Sequence, residues 1–406
     1  MTQTANLSEN KPQQLGRFEF VIMCAMLTCL TALSIDAMLP ALPMIGEDLA
    51  VANINHTQLV VSVLFAGFAL GQLIAGPMSD SFGRKKPIFL GLTIFLIGSA
   101  ICVWSNSFEA MLLGRFLQGL GASAPRIVTM AMVRDLFSGR DMAQVMSFIM
   151  SVFIIVPALA PALGQLVLYF APWRWIFLCL ALMAMTVFVW FALRQPETLD
   201  RSKRLPFSFK QVFAGISETV RTRTSIGYTI GSGIIFGGFV SYLSMSQLIF
   251  HDIYESGDKF ALYFGILSLA IGCASLFNGR FVHRYGMRRL LLIALVAKVI
   301  LSLGFLPYVY LNDGVAGLWV FMGWGMLVFF CTGILFGNFS ALALEPLGHI
   351  AGVGASTFGA ISTFMAAGLG FAIGQTYNGT LIPLVGGFSI LAMIGLVVVL
   401  WTDRRF

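Results

Sequence analysis

Four charged side chains lie inside long apolar runs of this 406-residue chain: Asp36, Arg115, Arg126 and Lys298. A charge at the centre of a bilayer costs about 2.5–3.5 kcal/mol on insertion scales, so each of these residues is a candidate functional group. Asp36 is the one carboxylate of eighteen that lies inside such a run, since Glu19 and Glu109 stand at the second residue of theirs. Because burial disfavours the charged form of a carboxyl group, Asp36 is a candidate for binding and releasing a proton. The alternative is an acid near a helix end that contacts water.

The two arginines are predicted to face one cavity. A guanidinium does not deprotonate, so Arg115 must be held by an acid, by backbone carbonyls or by water. Arg126 follows eleven residues later, which at about 100° per residue returns to within about 20° of the same helix face. We therefore predict a polar cavity formed by Asp36, Arg115, Gln118, Arg126 and Lys298. The alternatives are an Arg115 that only ties two helices together and an Arg126 that extends toward the inner membrane surface.

Lys298 lies midway along a later apolar run, too far from either end to reach a membrane surface easily. A buried ammonium group can lose its proton, and the sequence does not show which group would hold it. A functional role and a structural role are both open for this residue.

The elements that must position these side chains are membrane-spanning helices. Hydrophobic residues make up 58% of the chain, charged residues 11%, and the mean hydropathy is +0.87, whereas soluble proteins carry about 25% charge. A spanning helix needs about 20 apolar residues. Twelve such runs occur, at about 18–40, 57–79, 87–105, 108–133, 142–169, 173–193, 226–250, 259–281, 288–310, 315–344, 352–376 and 382–402. The predicted fold is therefore an all-α membrane protein with twelve transmembrane helices.

A repeated charged loop divides the chain into two similar halves. The segment GPMSDSFGRKK at 76–86 returns in altered form as GRFVHRYGMRR at 279–289, an offset of 203 residues. The one long polar stretch, 194–224, lies between the sixth and seventh runs. We predict a six-helix half at 1–193, a cytoplasmic linker at 194–224 and a pseudo-symmetric six-helix half at 225–406. Parallel repeats of this kind are typical of secondary transporters.

The distribution of Lys and Arg predicts the orientation. With the N-terminus inside, twenty of the 25 basic residues lie in inner segments, and the outer loops hold only Arg174 and Lys259. This asymmetry places both termini in the cytoplasm and explains the net charge of +7 without nucleic-acid binding. Residues 1–17 are polar and precede a run of spanning length, which does not match a cleaved signal peptide. We expect a multi-pass membrane protein, with the lipid bilayer as its environment.

The 76–86 loop has the composition of a conformational latch. Gly76 permits close helix approach, Asp80 can accept hydrogen bonds at a neighbouring helix N-terminus, and Gly83 supplies a turn. Arg84 and Lys85 anchor the loop to the cytoplasmic side. A charge cluster of this kind can hold one conformation and break in another. A loop that only sets topology is the alternative, and the repeat with its fixed spacing disfavours it.

The fifth apolar run contains Pro157 and Pro161, which remove two helix hydrogen bonds and predict a bend. Gly164 on the same stretch allows another helix to approach closely. A structural kink and a mechanical role are not separable from sequence, because one bend would serve both.

The sequence contains no signature of a nucleotide-driven pump or of an enzyme. It lacks the G-x-x-x-x-G-K-[ST] phosphate loop, and no cluster of residue types suggests catalysis or a metal site. We therefore expect energy from an ion gradient, with no cofactor and no metal.

The whole chain resembles the major facilitator superfamily and, within it, the Bcr/CflA subfamily of drug–proton antiporters. Segment 76–86 is similar to the superfamily's loop 2–3 signature, RFLQGLG at 115–121 to its fourth-helix arginine signature, and APALG at 160–164 to its antiporter motif. The segments similar to the subfamily are SIDAMLPALP at 34–43, GQLIAGP at 71–77, MVRD at 132–135 and FNGRFV at 277–282.

The resemblance implies a function. It implies alternating-access export of small amphipathic antibiotics of the chloramphenicol and bicyclomycin type, or of related metabolites, in exchange for protons. It further implies that Asp36 and Arg115 couple proton and substrate, and that Asp80 and Arg84 belong to a cytoplasmic gate. We expect a monomer whose partners are a small-molecule substrate and protons. Proton-coupled uptake of a nutrient on the same fold is the alternative.

The sequence departs from the family pattern at several positions. Ser81 replaces a basic residue of the loop signature, and Ala160 and Gln165 replace glycines of the antiporter motif. His283 is the counterpart of Asp80 in the second repeat, so the two loops are not equivalent. Arg126 occupies a position where the subfamily pattern leads us to expect a small or apolar residue.

Overall fold

The computed structural model describes residues 16–204, 206, 208–256 and 259–404, and its regular structure within these ranges is helical. The helices are α1 (Arg17–Asp36), α2 (Leu42–Asp48), α3 (Leu59–Phe82), α4 (Lys85–Trp104), α5 (Phe108–Leu136), α6 (Gly139–Phe170), α7 (Arg174–Arg194), α8 (Phe209–Arg221), α9 (Arg223–Leu248), α10 (Phe260–Tyr285), α11 (Met287–Leu311), α12 (Leu318–Leu344), α13 (Ala351–Gly374) and α14 (Ile382–Asp403). Short 3₁₀ turns and one π turn, Ile249–Ile253, complete the regular elements.

Twelve of these helices are long enough to cross a membrane. Ten stretches of the described residues are both long and apolar enough, and one of them, Leu318–Gly374, contains both α12 and α13. The twelfth long helix, α5, spans 29 residues and carries Arg115 and Arg126 in its interior. The predicted all-α fold with twelve transmembrane helices is therefore confirmed.

The first apolar run does not form one helix. The sequence predicts a span to about residue 40, but α1 ends at Asp36 and is followed by a 3₁₀ turn, Leu39–Ala41, and then by α2. Pro40 and Pro43 explain the break, because proline lacks an N–H and disfavours the α conformation of the preceding residue. As a result, Asp36 is the last residue of α1, where the final carbonyls of a helix lack intrahelical partners.

The polar segment between the halves contains a helix that the sequence reading did not predict. Helix α8 lies within this segment, and a Cβ atom on its Gly215 would lie 2.7 Å from Val353 of α13. The linker therefore contacts the second half of the chain as well as connecting to it.

Helices α1 and α3–α7 pack with one another, and so do helices α9–α14. Across these two groups, α3 packs against α13 and α6 against α10. Glycines permit the closest approaches: a Cβ atom on Gly119 of α5 would collide with the carbonyl of Leu64 on α3. The bundle is therefore built from two six-helix halves that meet along two helix pairs.

Helices α3 and α13 run antiparallel and contact each other along their whole length. A Cβ atom would collide with Gln58 if placed on Gly374, with Gln72 if placed on Gly359, and with Ser356 if placed on Gly76. We call the end of the bundle that holds the 76–86 loop and the 194–224 segment the linker side, and the opposite end the far side.

On the far side, backbone carbonyls join the two halves. The Asn55 side chain donates to the carbonyl of Tyr377 over 2.9 Å, and Gln375 donates to the carbonyl of Asn55 over 2.8 Å. Gln58 donates to the carbonyl of Gly374 over 3.0 Å. The far side is thus closed around the start of α3.

Candidate functional site

Asp36 is buried where three elements meet. It is 4% exposed, and its Oδ1 atom has no hydrogen-bond partner in the described part of the chain. A Cβ atom on Gly164 of α6 would collide with the carbonyl of the next residue, Ala37. The turn Leu39–Ala41, which follows, packs against α9. Asp36 therefore lies between the first half and the first helix of the second half.

Arg115 holds the end of the same helix. It is 0% exposed and donates to the carbonyls of Ser34, over 2.8 Å, and Val60, over 3.0 Å. Ser34 belongs to the last turn of α1, whose carbonyls favour a cation. The guanidinium also lies 5.7 Å from the centroid of the Phe177 ring. Of the three possible partners of Arg115 that the sequence leaves open, the structure shows backbone carbonyls.

Gln118 orients this arginine. Its Oε1 atom accepts from Arg115 over 2.8 Å, and its Nε2 atom donates to Ser99 of α4 over 2.8 Å. The Nη2 atom of Arg115 is buried, and no described residue accepts from it. Arg115 and Asp36 thus share the end of α1, and each keeps one buried polar atom without a hydrogen bond.

Arg126 lies on the same helix and contacts an aromatic ring of α3. Its guanidinium carbon is 5.9 Å from the centroid of Phe68, and its side chain is half-buried. A cation over a ring face is an attractive arrangement. The structure therefore gives this residue an aromatic neighbour at the α3–α5 contact.

Lys298 is buried within the second half. Its ammonium group donates to Thr332 of α12 over 2.6 Å and lies 4.7 Å from the centroid of Phe388 on α14. These contacts supply the partners that the sequence did not show. They place Lys298 among α11, α12 and α14, whereas Asp36 and Arg115 lie in the first half.

Both prolines of α6 lie inside a continuous helix, Gly139–Phe170. Between them, the carbonyl of Ala158 would lie 3.0 Å from a Cβ atom on Gly265 of α10. This stretch of α6 therefore contacts α10 on one side and Ala37, the residue after Asp36, on another. It contains Pro157, Pro161 and Gly164.

Arg84 is the centre of an ionic network on the linker side. Its side chain is 8% exposed and donates to Asp80 over 2.6 Å and to Asp135 of α5 over 2.8 Å. A third bond, of 2.8 Å, reaches the hydroxyl of Ser79. Burial opposes the charge of Arg84, but the hydrogen bonds that Arg84 donates to Asp135 and Asp80 outweigh this effect and raise the pKa of the guanidinium.

A carboxylate from the linker closes the same loop. Glu197 accepts from the backbone N–H groups of Arg84, over 2.8 Å, and Lys85, over 3.2 Å, at the N-terminus of α4. It also accepts from the backbone of Thr198 and Leu199, each over 3.1 Å. A negative charge is favoured at a helix N-terminus.

The turn itself requires glycine. Gly83 has φ +90°, and a Cβ atom there would lie 2.5 Å from Glu197. Beyond the turn, the ammonium of Lys85 lies 5.7 Å from the ring centroid of Phe89. Sequence reasoning missed the roles of Asp135 and Glu197. Asp135 lies in the MVRD segment that resembles the subfamily. Glu197 carries no local signal for its role in the loop, because Arg84 and Lys85 are more than a hundred residues away.

The loop also touches the second half of the chain. A Cβ atom on Gly352, in the first turn of α13, would lie 3.1 Å from Oδ2 of Asp80. The carboxylate therefore lies at the positive end of the α13 dipole. Together with the approach of Gly76 to Ser356, this contact joins the halves on the linker side.

These features belong to a known class of membrane protein. The model of the Major Facilitator Superfamily matches residues 24–373, so the chain belongs to that superfamily. It is 31% identical to the uncharacterized MFS-type transporter YdgK of Bacillus subtilis, over 95% of this chain and 96% of the relative. It is 28% identical to the bicyclomycin resistance protein homolog of Haemophilus influenzae, over 92% of this chain and 93% of the relative. The multidrug resistance protein MdtL of Shigella flexneri is 29% identical over 84% of each chain.

Solved structures share the fold. The human organic anion transporter MFSD10 superposes with a TM-score of 0.70 at 19% identity, covering 95% of this chain and 100% of that one. The Escherichia coli xylose transporter XylE, in a partially occluded inward-open conformation, superposes with a TM-score of 0.73 at 12% identity. This match covers 96% of this chain and 97% of that one. At these identities the likeness establishes the fold alone. The predicted superfamily is confirmed, and the chain is a multi-pass membrane transporter rather than an enzyme.

Proposed function

We propose that this chain is a proton-coupled antiporter of the bacterial inner membrane that exports small amphipathic molecules by alternating access. Antibiotics of the bicyclomycin and chloramphenicol type are the candidate cargo, because the relatives include a bicyclomycin resistance protein homolog and a multidrug resistance protein. The basic residues concentrated in the predicted inner segments support a cytoplasmic linker side. The protein acts as a monomer, and the proton gradient supplies the energy.

The observation that carries this proposal is the buried Oδ1 atom of Asp36 at the end of α1, which has no hydrogen-bond partner among the described residues. Buried polar groups normally have hydrogen-bond partners, and one without a partner calls for an explanation. Intramembrane acids are typical of proton relays in transporters. An antiporter needs a group that holds either a proton or cargo, and Asp36 is the carboxyl group placed to do so.

Arg115 couples the state of Asp36 to the helices around it. It ties the last turn of α1 to the start of α3 through the carbonyls of Ser34 and Val60. Ionisation of Asp36 places a negative charge at the end of this turn. We expect that charge to attract the Nη2 atom of Arg115, which has no acceptor among the described residues. Protonation removes that attraction, so proton binding shifts how α1 is held against α3 and α5.

The 76–86 loop closes the cytoplasmic side in this scheme. Its Asp80 meets the N-terminus of α13, and its Arg84 ties Asp80 to Asp135. Opening that side separates Asp80 from α13, so the ionic network must hold one state and release the other. Arg126 and Lys298 are proposed as further cavity residues, with Arg126 offering a fixed positive charge to polar groups of the cargo.

The test is Asp36→Asn, with Asp313→Asn as the matched control because Asp313 lies in an exposed loop. In inverted membrane vesicles energised by a proton gradient, Asp36→Asn should abolish accumulation of radiolabelled chloramphenicol. Exchange of labelled for unlabelled chloramphenicol at saturating concentration should continue, because exchange needs no proton release. Asp313→Asn should behave like the unmodified protein.

Full uphill accumulation by Asp36→Asn would remove Asp36 as the coupling residue. A gradient that drives chloramphenicol in the opposite direction would replace export with proton-coupled uptake. Insertion and thermal unfolding in detergent, measured on every variant, distinguish loss of coupling from loss of structure.

A further inference from the structure

Tyr242 is a buried residue that the proposed function has not yet used. It lies in the C-terminal third of α9 and is 2% exposed. Its ring is stacked on Phe264 of α10, with centroids 5.8 Å apart, and meets Phe329 of α12 edge-on at 4.7 Å. These contacts fix the ring. The hydroxyl nevertheless has no hydrogen-bond partner within the described residues.

Asp36 and Tyr242 belong to elements that lie where the two halves meet: Asp36 ends α1, and Tyr242 lies on α9. The turn Leu39–Ala41, which begins three residues after Asp36, packs against α9. Both groups are more than nine-tenths buried, and each has one polar atom without a hydrogen bond to any described residue. Two such groups, one from each half, therefore lie on elements that are adjacent in the bundle.

The chemistry of the pair defines what it can bind. A tyrosine hydroxyl donates and accepts, and an ionised carboxylate accepts only. A hydroxyl group of a ligand can accept from Tyr242 while it donates to Asp36. An amide group of a ligand can donate its N–H to Asp36 while its carbonyl oxygen accepts from Tyr242. The fixed rings of Phe264 and Phe329 add an apolar surface beside the polar pair.

We propose that Tyr242 is a cargo-binding residue whose hydroxyl, together with the carboxylate of Asp36, binds a hydroxyl or amide group of uncharged amphipathic cargo. This assignment rests on the proposed function and deepens it. Hydrogen bonds to an ionised carboxylate are stronger than those to its neutral form. Cargo of this class therefore binds best when Asp36 is ionised, so proton and cargo compete for one site. Because one group comes from each half, bound cargo bridges α1 and α9.

The test compares two probes on purified protein. Chloramphenicol carries hydroxyl and amide groups, whereas tetraphenylphosphonium has no hydrogen-bonding group. Tyr242→Phe removes only the hydroxyl and keeps the ring contacts. It should raise the Kd for chloramphenicol by about three- to tenfold, the loss expected for one hydrogen bond. The Kd for tetraphenylphosphonium should not change.

Tyr254→Phe is the matched control. Its hydroxyl is also buried without a bond among the described residues, but it lies past the end of α9, where its ring centroid is 5.7 Å from that of Phe321. This variant should leave both affinities unchanged. A photoreactive chloramphenicol analogue on the unmodified protein should label the peptide of α9 that contains Tyr242, and this measurement does not depend on the folding of any variant.

Three results would overturn the assignment. Tyr242→Phe could leave the affinity for chloramphenicol unchanged, or it could weaken both probes equally, which would indicate a packing role. The photoreactive analogue could label α1 and α5 without α9. Failure of the unmodified protein to bind either probe would instead overturn the proposed function, and the role of Tyr242 with it.

Discussion

The two halves of the chain contain the same turn but anchor it differently. Gly83 (φ +90°, ψ 170°) follows α3, and Gly286 (φ +78°, ψ 153°) follows α10. Both glycines adopt a conformation that other residues rarely reach. The next residue is Arg84 in the first loop and, 203 residues later, Met287 in the second. One backbone turn therefore carries a charged anchor in one half and an apolar anchor in the other.

The surroundings of the two anchors differ in kind. Arg84 is held by carboxylates from α3 and α5. Met287 packs against the apolar cluster of the second half that includes Leu290 and Leu291. An ionic network depends on paired charges and can be broken by moving one partner, whereas an apolar contact only loses area.

The residues that complete the first network also change in the second half. The counterpart of Asp80 is His283, which is exposed. The counterpart of Asp135 is Asn338, which donates to Asn278 over 2.7 Å. The comparison indicates that a glycine-centred turn can recur without its function. Only the first loop has the charges of a latch, and three substitutions test this conclusion.

Arg84→Met, which installs the second-half residue in the first loop, should have the largest effect. It leaves Asp80 and Asp135 without their cation, and we expect a loss of about 1–3 kcal/mol in unfolding free energy. The maximal transport rate should fall about tenfold, equivalent to about 1.4 kcal/mol in activation free energy. Chloramphenicol affinity should stay within about twofold of the unmodified value, since a change confined to the loop lowers the rate and not the binding.

The control for that substitution is Arg84→Met combined with Asp135→Asn. If the two residues act as one network, their effects should be less than additive. Weakened binding with a normal maximal rate would show that the loop is not a latch.

Glu197→Gln should have an intermediate effect. The amide has one acceptor oxygen in place of the carboxylate's two and carries no charge, so the N-terminus of α4 loses part of its cap. We expect a loss of about 1 kcal/mol in unfolding free energy, within the range for helix N-caps, and a transport rate reduced by about two- to fivefold through the attached loop. Thermal unfolding and vesicle transport measure these changes. Glu218→Gln, the same substitution elsewhere in the linker, provides the control, and equal effects of the two variants would contradict a specific role for Glu197.

Arg284→Ala, in the second loop, should have the smallest effect. Arg284 is exposed, and its guanidinium carbon lies 5.5 Å from the ring of its neighbour Tyr285. Substitutions of exposed residues usually change the free energy of unfolding by less than about 0.5 kcal/mol. Transport rate and unfolding temperature should match those of the unmodified protein. A tenfold loss of rate would mean that both loops act as latches, which would remove the asymmetry between the halves.

Much of the architecture was predictable because it depends on local sequence. A bilayer forces each backbone polar group to be satisfied within its own segment, so a continuous apolar run of sufficient length becomes a helix. Twelve runs therefore predicted twelve helices. The end of α1 at Asp36 was readable in principle, since Pro40 and Pro43 stand just beyond it, but apolarity alone placed the end near residue 40.

The candidate site was predictable only as a set of residue types. The position of Asp36 and Arg115 in apolar runs marked them as candidates, because charge inside a membrane is costly whatever surrounds it. Their partners were not visible. Arg115 donates to Ser34, 81 residues earlier, and Glu197 accepts from Arg84, 113 residues earlier.

The sequence by itself thus determined the membrane class, the number of spanning helices, the glycine turns and the charged residues that lie inside apolar runs, since each follows from composition or spacing within one segment. Only the tertiary structure decided which atoms meet. It placed Lys298 beside Thr332 and Phe388, and it placed Arg115 against the carbonyls of Ser34 and Val60. The physical reason is that hydrogen bonds and ion pairs act over a few ångströms, and the packing of helices distant in sequence sets those distances.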